Sequence, residues 1–373
     1  MKTSPKIKNT ISQLTNLDEE EPPGSLSCKG AIKNLKELNL GIRLGGSFFV
    51  TLPSELRNFY LKHGYSSSLK NLSLEIVANV NQCFELWEEF SPQKSLFDTW
   101  EFRLAFYKSY KDKPYFIVLK NKEENIGLLP LWYEKEKKKY FWFGSWWQED
   151  NKFFAKEPIF IPLMLTVCPK PMLLNAIKTS ELKKLGPARK FIKFQKDDSK
   201  YVLDLTKIKT LDDYLMSLKK NRRHNLRKDK RRIEKQNPQV IVDNFSDFDH
   251  LVRLSKERFT QKGEDTDWED PKRVETFRNV INLAGKSYKV RMITVKIGEK
   301  IAGVDLITIF NDCYYAIKCG YDVKDFSGIG NFVNLFEIED ALRLGLKKID
   351  FLQNNYDWKE RLFESIPLLK YEE

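Results

Sequence analysis

The sequence predicts a mixed α/β (α+β) protein with two tandem units, each a mixed central sheet flanked by helices. Its 373 residues, 41% of them hydrophobic, are enough for two domains with separate cores. A second observation is a pattern that occurs twice. Two helical segments precede three strands joined by short turns, around Ile126-Gly127 and again around Ile301-Ala302-Gly303. Strand-turn-strand patterns are common, so two unrelated domains that share this feature remain the alternative.

The first segment, residues 1–70, is predicted to be largely disordered or loosely packed. Its opening stretch, Met1 to Gly24, is rich in lysine and polar residues and carries the acidic run Asp18 to Glu21. This stretch lacks an apolar core of the length that a signal peptide needs. We therefore expect a disordered tail there.

Residues 71–206 are predicted to form the first unit. An alternating strand begins near Leu72, and helical segments follow at Phe84–Phe90 and Leu96–Tyr110. The strands of the first meander are Tyr115–Leu119, Ile126–Trp132 and Tyr140–Phe143. A proline-rich stretch comes next instead of a glycine loop with a long helix, so we interpret this unit as a degenerate copy.

A helix predicted over Leu211–Gln236 holds the densest positive charge of the chain. Its basic residues are Lys219, Lys220, Arg222, Arg223, Arg227, Lys228, Lys230, Arg231, Arg232 and Lys235. Apolar residues at helical spacing indicate that one side packs while the other faces water or a ligand. The helix is therefore a candidate clamp for an anion, and a merely solvated face is the alternative.

Residues 207–373 are predicted to form the second unit, in which the last strand of the meander leads to a loop of small residues and a long apolar helix. The loop reads Ser327-Gly328-Ile329-Gly330-Asn331. Small residues let backbone N–H groups approach a ligand, and the first turn of a helix offers unpaired donors at the positive end of its dipole. These five residues are predicted to bind a cofactor phosphate, with a simple tight turn as the alternative.

Charge and cysteine content narrow the class of partner and the compartment. The formal net charge of +12 and a pI near 9.2 indicate an anionic partner, which can be nucleic acid, a coenzyme phosphate or a membrane surface. Five scattered cysteines and three histidines argue against a disulfide framework, a metal site or a histidine triad. We predict no metal and a cytoplasmic location. Prolines interrupt the most apolar window, Ile159–Leu174, so no membrane span is predicted.

Several residues of the second half occur in a recognisable order. They are Arg222-Arg223, Asn225-Leu226, Ile301-Ala302-Gly303, Gly320-Tyr321-Asp322, Ser327-Gly328, Gly345, Ile349-Asp350-Phe351-Leu352 and Trp358-Lys359. This ordered set resembles the FemAB-like and CelD-like branch of the GNAT acyltransferase superfamily. The resemblance is best over Leu211–Phe363 and weaker over Leu72–Thr206. Near the end of the chain, Asn354 and Tyr356 depart from the family pattern, so an altered acceptor pocket is expected there.

The resemblance implies two tandem GNAT-like domains and transfer of an acyl group to an amine or a hydroxyl. In CelD-like members the donor is acyl-coenzyme A (acyl-CoA), at the loop that corresponds to Ser327–Asn331. In FemAB-like members the donor is aminoacyl-tRNA. The expected acceptor is a small molecule, or a sugar, peptide or cell-envelope precursor. A non-enzymatic nucleic-acid-binding protein is a further alternative. The lack of a known motif that reads DNA or RNA argues against it.

Three residues are candidates for proton transfer. Asp305 lies in an apolar strand, where a buried carboxylate has a raised pKa and suits a general base. Its alternative is a position at a sheet edge or a turn. Asp350 follows two lysines, so a structural ion pair or cap is the alternative to catalysis. Tyr356 is a candidate acid for the leaving thiolate, with core packing as its alternative.

Substrate contacts are predicted at two places. Arg222, Arg223 and Arg227 of the basic helix are expected near anionic parts of the donor or the acceptor. Trp358 and Lys359, which belong to the resembling set, are expected at the substrate, where the lysine contacts a phosphate or a carboxylate. Most single lysines only solvate a surface, and this is the alternative for Lys359.

Overall fold

The computed structural model describes residues 41–44, 48–354 and 356–373. The chain divides into two compact units. Unit 1 comprises the described residues up to 92, residues 111–197 and residues 368–373, and unit 2 comprises residues 93–110 and 198–367. The tail predicted to be disordered, Met1 to Gly24, lies outside the described residues.

The strands of the described residues are, in chain order, β1 (Gly41–Leu44), β2 (Phe48–Thr51), β3 (Leu72–Val77), β4 (Lys113–Asn121), β5 (Glu124–Glu134), β6 (Lys139–Trp142), β7 (Phe154–Ala155), β8 (Leu173–Lys178), β9 (Gln195–Asp204), β10 (Gln239–Val242), β11 (Lys289–Ile297), β12 (Lys300–Phe310), β13 (Cys313–Tyr321), β14 (Lys348–Asp350) and β15 (Glu364–Glu372).

The α-helices of the described residues are, in the same order, α1 (Ser54–Lys62), α2 (Ser66–Asn71), α3 (Val80–Phe90), α4 (Trp100–Tyr110), α5 (Ile161–Val167), α6 (Ser180–Lys184), α7 (Leu211–Ser217), α8 (Lys220–Glu234), α9 (Phe248–Lys262), α10 (Pro271–Asn282), α11 (Ile329–Arg343) and α12 (Lys359–Leu362).

Unit 1 contains a mixed sheet with the strand order β2-β1-β3-β4-β5-β6, and β7 pairs with β5. The β1–β3 pair is parallel and the other pairs are antiparallel. The ring of Trp87 on α3 packs against Phe116 of β4 on one face, while Ile117 belongs to the core on the other face. Because both faces of β4 are covered, its sequence is apolar almost throughout. The predicted first meander is confirmed.

Part of the segment over which we predict loose packing is included in unit 1. Within residues 1–70, helix α1 buries Leu56, Phe59 and Tyr60 in the core of this unit. The hydroxyl of Tyr60 donates a hydrogen bond to the carbonyl of Ile159 at 2.9 Å. The sequence did not indicate this helix.

Unit 2 contains strands in the order β10-β11-β12-β13-β14-β9. The β13–β14 pair is parallel and its neighbours are antiparallel, so this sheet is also mixed. The strands of the predicted second meander are confirmed as β11, β12 and β13. The prediction of an α/β protein with mixed sheets flanked by helices is therefore confirmed for both units.

Helices cover the two faces of the unit 2 sheet at glycine positions. A β-carbon at Gly320 on β13 would lie 2.3 Å from the carbonyl oxygen of Leu251, so only glycine allows α9 to approach this closely. On β12, a β-carbon at Gly303 would lie 3.3 Å from the side chain of Ile329 on α11. Residues alternate between faces along a strand, and Gly320 pairs with Val304, the neighbour of Gly303. Helices α9 and α11 therefore lie on opposite faces.

The predicted basic helix is two helices in the structure. Helix α7 begins with a capping box between Thr210 and Asp213 and ends at Ser217, and α8 begins at Lys220. Leu218 and Lys219 have extended backbone torsions between them, which interrupts the helical hydrogen bonds. Among the described residues, no helix is both long and apolar enough to cross a membrane.

Candidate functional site

The candidate site of unit 2 lies where two parallel strands part. Strands β13 and β14 pair only from Cys313 with Lys348 to Tyr315 with Asp350. Beyond that point β13 continues to Tyr321 and pairs with β12 alone among the described strands. Its other edge pairs with no described strand there. We call this gap between β13 and the segment after β14 the strand opening.

Lys359 holds the segment that borders the strand opening. Its ammonium group donates hydrogen bonds to the carbonyls of Phe351 at 2.6 Å and Gln353 at 2.8 Å, and the residue is buried. It also lies 5.4 Å from the ring centroid of Tyr356. Lys359 thus orders the segment after β14. Trp358 packs edge-on against Phe351 and Phe363, with ring centroids 6.3 and 5.8 Å apart.

Two groups that can hold a proton lie at the strand opening. Burial, and next the charge of Asp305, raise the pKa of the Cys319 thiol to about 12, although Arg258 lowers it. This thiol stays protonated at neutral pH and does not suit nucleophilic attack. Tyr356 is 46% exposed, and burial of its ring, followed by the charge of Cys319, raises its pKa. Its hydroxyl therefore keeps its proton and is able to donate it.

Asp305 lies on the central strand β12, between β11 and β13, and not at a sheet edge or in a turn. The hydroxyl of Tyr321 donates a 2.6 Å hydrogen bond to its Oδ2 atom. Burial raises the pKa of Asp305 to about 7, while hydrogen bonds from Tyr321 and Glu337 and the charge of Arg258 lower it. A carboxyl group with this pKa can exchange a proton near neutral pH.

Asp350 forms a buried ion pair. Its Oδ2 atom lies 2.6 Å from Nζ of Lys200, and both side chains are almost inaccessible to solvent. Lys348 lies 3.4 Å away, and the backbone amide of Leu352 donates to Oδ1 at 3.1 Å. The carboxylate joins the end of β14 to β9, the strand of Lys200. This arrangement is the structural alternative considered for Asp350.

The predicted phosphate loop begins helix α11. Gly328 has the left-handed φ of 93°, which favours glycine, and the amide of Phe332 donates to its carbonyl at 3.0 Å. Ser327 is exposed, whereas Ile329 is buried in the core of unit 2. In the described part of the chain, the backbone amides of Gly330 and Asn331 donate no hydrogen bond to a protein acceptor. They are available to an anion.

Two neighbours of this loop were not anticipated from the sequence. A β-carbon at Gly330 would lie 3.2 Å from the ring of Tyr321, so this glycine has a packing role. The carboxylate of Asp229, on α8, accepts a 2.7 Å hydrogen bond from the side chain of Asn331. Asp229 is one of the two acidic residues of α8, and this rarity among basic residues was the available signal.

The three predicted arginines of α8 have partners within unit 2. Arg222 donates to the carbonyl of Arg361, Arg223 donates to the carbonyl of Met216 at 3.4 Å, and Arg227 pairs with Asp212. A cleft of about 840 Å³ adjoins α8, and Arg222 does not line it. Charged residues along this basic cleft are Lys220, Arg223, Arg227, Lys230, Arg231, Asp212, Glu234 and Glu339.

The structure thus groups the predicted residues in four places. Asp305 lies opposite Cys319 of β13, while Tyr356 and Lys359, with Nζ of Lys359 5.4 Å from the ring of Tyr356, belong to the segment on the other side of the strand opening. The loop Ser327–Asn331 follows the far end of β13. Asp350 lies at the near end in an ion pair, and Arg223 and Arg227 belong to the basic cleft.

Comparison with known families supports the GNAT superfamily. Residues 220–360 match the sequence model of the family described as "Acetyltransferase (GNAT) domain", and this range contains the strand opening and the loop before α11. The matched range is less than half of the chain. It lies within the stretch over which the sequence resembles that superfamily.

Solved structures share the fold at low sequence identity. The crystal structure of FemX is similar with a TM-score of 0.54 and 10% identity, over 79% of this chain and 96% of that chain. The C-terminal domain of a putative lysylphosphatidylglycerol synthetase from Agrobacterium fabrum has a TM-score of 0.51 and 10% identity, over 78% and 92% of the two chains. No curated protein matches the sequence. Residues 220–360 are therefore similar to a GNAT acetyltransferase domain, and the chain shares its fold with these two solved structures.

Proposed function

We propose that this protein is an acyltransferase of the FemAB-like or CelD-like type that transfers an acyl group from acyl-CoA to an amine. This amine, or alternatively a hydroxyl, belongs to a small molecule or to a sugar, peptide or cell-envelope precursor. The observation that supports this function best is the parting of β13 and β14, because β13 leads directly to the loop before α11. A donor that lies along this unpaired edge would bring its phosphates to that loop.

The residues around the loop fit a diphosphate in part. The amides of Gly330 and Asn331 are available, and the guanidinium of Arg232 lies 2.9 Å from Oγ of Ser327. The negative charge of Asp229 beside Asn331 opposes an anion at the same position. The loop is thus a candidate binding site for the diphosphate of acyl-CoA. The charge of Asp229 limits the affinity of this site for the diphosphate.

The proposed chemistry uses the groups at the strand opening. Acyl-CoA supplies an activated thioester carbonyl, and holding both substrates there provides much of the acceleration. The amine nitrogen forms a bond to the carbonyl carbon while the carbon–sulfur bond breaks. Tyr356 passes the proton lost from nitrogen to the leaving sulfur, and Asp305 takes the proton of the ammonium form. Lys359 orders the surrounding segment, and Asp350 has a structural role.

The direct test measures acyl-CoA binding by calorimetry for the wild type and for Ser327→Asp. Ser327 is exposed, so the added carboxylate should repel the diphosphate without a steric conflict. We expect at least about tenfold weaker binding, which corresponds to about 1.4 kcal/mol. Val323→Asp, also at an exposed position of the connection before α11, is the matched control and should bind like the wild type. Absence of acyl-CoA binding to the wild type contradicts the proposal.

Aminoacyl-tRNA as the donor is the second candidate, and the basic cleft favours it. A phosphodiester backbone on this cleft would release counterions, so its affinity should fall steeply with salt. Arg223→Ala and Arg227→Ala should weaken tRNA binding and reduce the salt dependence. Lys228→Ala, which removes an exposed charge outside the cleft, is the control. Undetectable tRNA affinity at low salt rules this donor out.

A cytoplasmic site of action is part of the proposal. Cys83, Cys168, Cys313 and Cys319 are free thiols, which are typical of proteins from a reducing compartment. Mass spectrometry of the freshly purified protein under alkylating conditions tests for oxidised pairs.

A further inference from the structure

The hydroxyl of Tyr321 is held in one place by two glycines. β-Carbons at Gly303 and Gly330 would lie 3.0 and 3.2 Å from its ring, so the ring fits between the two α-carbons. This position directs the hydroxyl to Oδ2 of Asp305 at 2.6 Å. Tyr321 is 7% exposed and lies on the part of β13 that pairs with β12 but not with β14, two residues after Cys319 and on the same face. It connects the strand opening with the interior.

A second carboxyl group meets Asp305 in the interior. Glu337 on α11 is fully buried, and both of its carboxyl oxygens lack a donor among the described residues. Oδ1 of Asp305 is also buried without a donor. A hydrogen bond joins these two carboxyl groups only when one of them is protonated. Two buried carboxylates in contact cannot both ionise cheaply, so the pair retains one proton.

Charged and titratable groups on four elements surround the Asp305–Glu337 pair. Arg258 on α9 and the thiol of Cys319 and hydroxyl of Tyr321 on β13 face Asp305. Asp340 on α11 adds a further negative charge beside Glu337. The remaining groups are Arg291 on β11, which binds Asp340 at 2.7 Å, and Tyr314 on β13, which donates to Asp340 at 3.4 Å. Burial, and next the charge of Asp305, raise the pKa of Glu337 well above its usual range.

We propose that the Asp305–Glu337 pair takes up the proton that the substrate amine loses, and that Tyr321 relays this proton to the pair. This role of Tyr321 rests on the proposed acyl transfer. The acceptor ammonium gives a proton to Oη of Tyr321 while Tyr321 gives its own proton to Oδ2 of Asp305. An N–H bond breaks, an O–H bond forms on Asp305, and the charge of the pair changes from minus one to zero. The nitrogen keeps the electron pair with which it attacks the acyl carbonyl. Glu337 acts as a positioning residue.

The first experiment needs no substrate. Infrared difference spectra of the full-length protein, recorded along a pH titration, report protonated carboxyl groups by their C=O stretch. We expect one group that loses its proton at about pH 7 in the wild type. The band should be absent in Asp305→Asn and should move to higher pH in Tyr321→Phe, because the hydrogen bond from Tyr321 lowers the pKa of Asp305. Tyr314→Phe is the matched control and should titrate like the wild type.

The second experiment follows thiol release from acetyl-CoA with a panel of alkylamines and with hydroxylamine. With alkylamines, Tyr321→Phe should lower kcat at neutral pH by about 100-fold or more, the usual range for a proton-transfer group. Hydroxylamine is already unprotonated at neutral pH, so it should restore the rate of this variant. A purely structural defect would affect both nucleophiles equally. Glu337→Gln retains a hydrogen-bond donor and should keep the pH profile, whereas Glu337→Leu should move it to higher pH.

The outcomes separate this inference from the function on which it rests. Absence of a carboxyl group that titrates near neutral pH, or equal losses with both nucleophiles in Tyr321→Phe, overturns the proposal. Wild-type protein that releases no thiol with any nucleophile contradicts the proposed acyl-CoA chemistry instead. The titration, with its shift in Tyr321→Phe, would still support a proton-holding pair linked to that tyrosine.

Discussion

The side chain of Asp229 lies directly against the α-carbon of Gly328. A β-carbon at Gly328 would be 2.9 Å from both Cβ and Cγ of Asp229. The same carboxylate accepts a hydrogen bond from Asn331, in the first turn of α11. A negative charge is favourable at this end of a helix. The basic helix α8 therefore places an anionic side chain at the N-terminus of α11, beside the candidate cofactor loop.

Gly328→Ala should destabilise the protein by about 2–4 kcal/mol, through left-handed backbone strain and through contact with Asp229. Gly298→Ala is the matched control. Gly298 also has a positive φ, of 57°, but nothing lies within 4 Å of an added β-carbon. Its cost should be limited to about 1 kcal/mol of backbone strain. Urea denaturation of both variants measures the difference, and equal losses would show that the contact with Asp229 is unimportant.

Asp229→Asn should strengthen acyl-CoA binding while it slightly weakens the fold. The substitution removes a negative charge beside the free amides of Gly330 and Asn331. Loss of a charge at the helix start costs about 0.3–1 kcal/mol of stability. Glu234→Gln, which removes the other acidic residue of α8, should change neither quantity by as much. Calorimetry decides the matter: unchanged acyl-CoA affinity in Asp229→Asn would place the diphosphate elsewhere.

The two meanders could be predicted from the sequence because they follow from local patterns. The strands of both meanders alternate with short turns, and the loop before α11 was recognised from its glycines. The sequence could not show why the glycines are present. Gly303 and Gly330 are far apart in the chain, and they come together around Tyr321 only when α11 packs on β12.

The partners of the charged candidates depend on long-range pairing in the same way. Asp305 was recognised from the sequence as a carboxylate in an apolar strand. Glu337 lies among apolar residues of a helix, and no spacing in the sequence connects it with Asp305. Asp350 was considered as the partner of a lysine, and the nearby Lys348 does lie 3.4 Å from it. The partner at 2.6 Å is Lys200, which reaches it because β9 pairs with β14.

Asp350→Asn should destabilise unit 2 strongly, because it leaves the ammonium of Lys200 buried without its counter-charge. Breaking a buried ion pair in this way costs about 3–5 kcal/mol. Lys348→Ala is the control, since that lysine is 38% exposed and lies 3.4 Å from the same carboxylate. Its loss should cost less than about 1 kcal/mol. Replacing both partners, as Lys200→Met with Asp350→Leu, should recover much of the stability.

Chemical denaturation and activity per folded molecule separate the two roles considered for Asp350. If Asp350→Asn retained wild-type stability but lost turnover, a catalytic role would replace the structural one.

The free energy of unfolding should fall as the pH rises from about 4 to about 7, because the folded protein loses the proton of Asp305 over this interval. Its pKa is 3.8 in the unfolded chain and about 7 in the folded protein, so the folded state binds more protons across this interval. The stabilisation is fully present below the unfolded pKa and is lost as the pH passes the folded pKa. A tenfold change in an equilibrium constant is worth about 1.4 kcal/mol, so the effect amounts to a few kcal/mol.

Exposed carboxyls with lowered pKa, such as Asp213 and Asp325, act in the opposite direction. The measurement is therefore the difference between the wild type and Asp305→Asn in urea denaturation across this pH range. Parallel curves for the two proteins would mean that Asp305 titrates normally in the folded state.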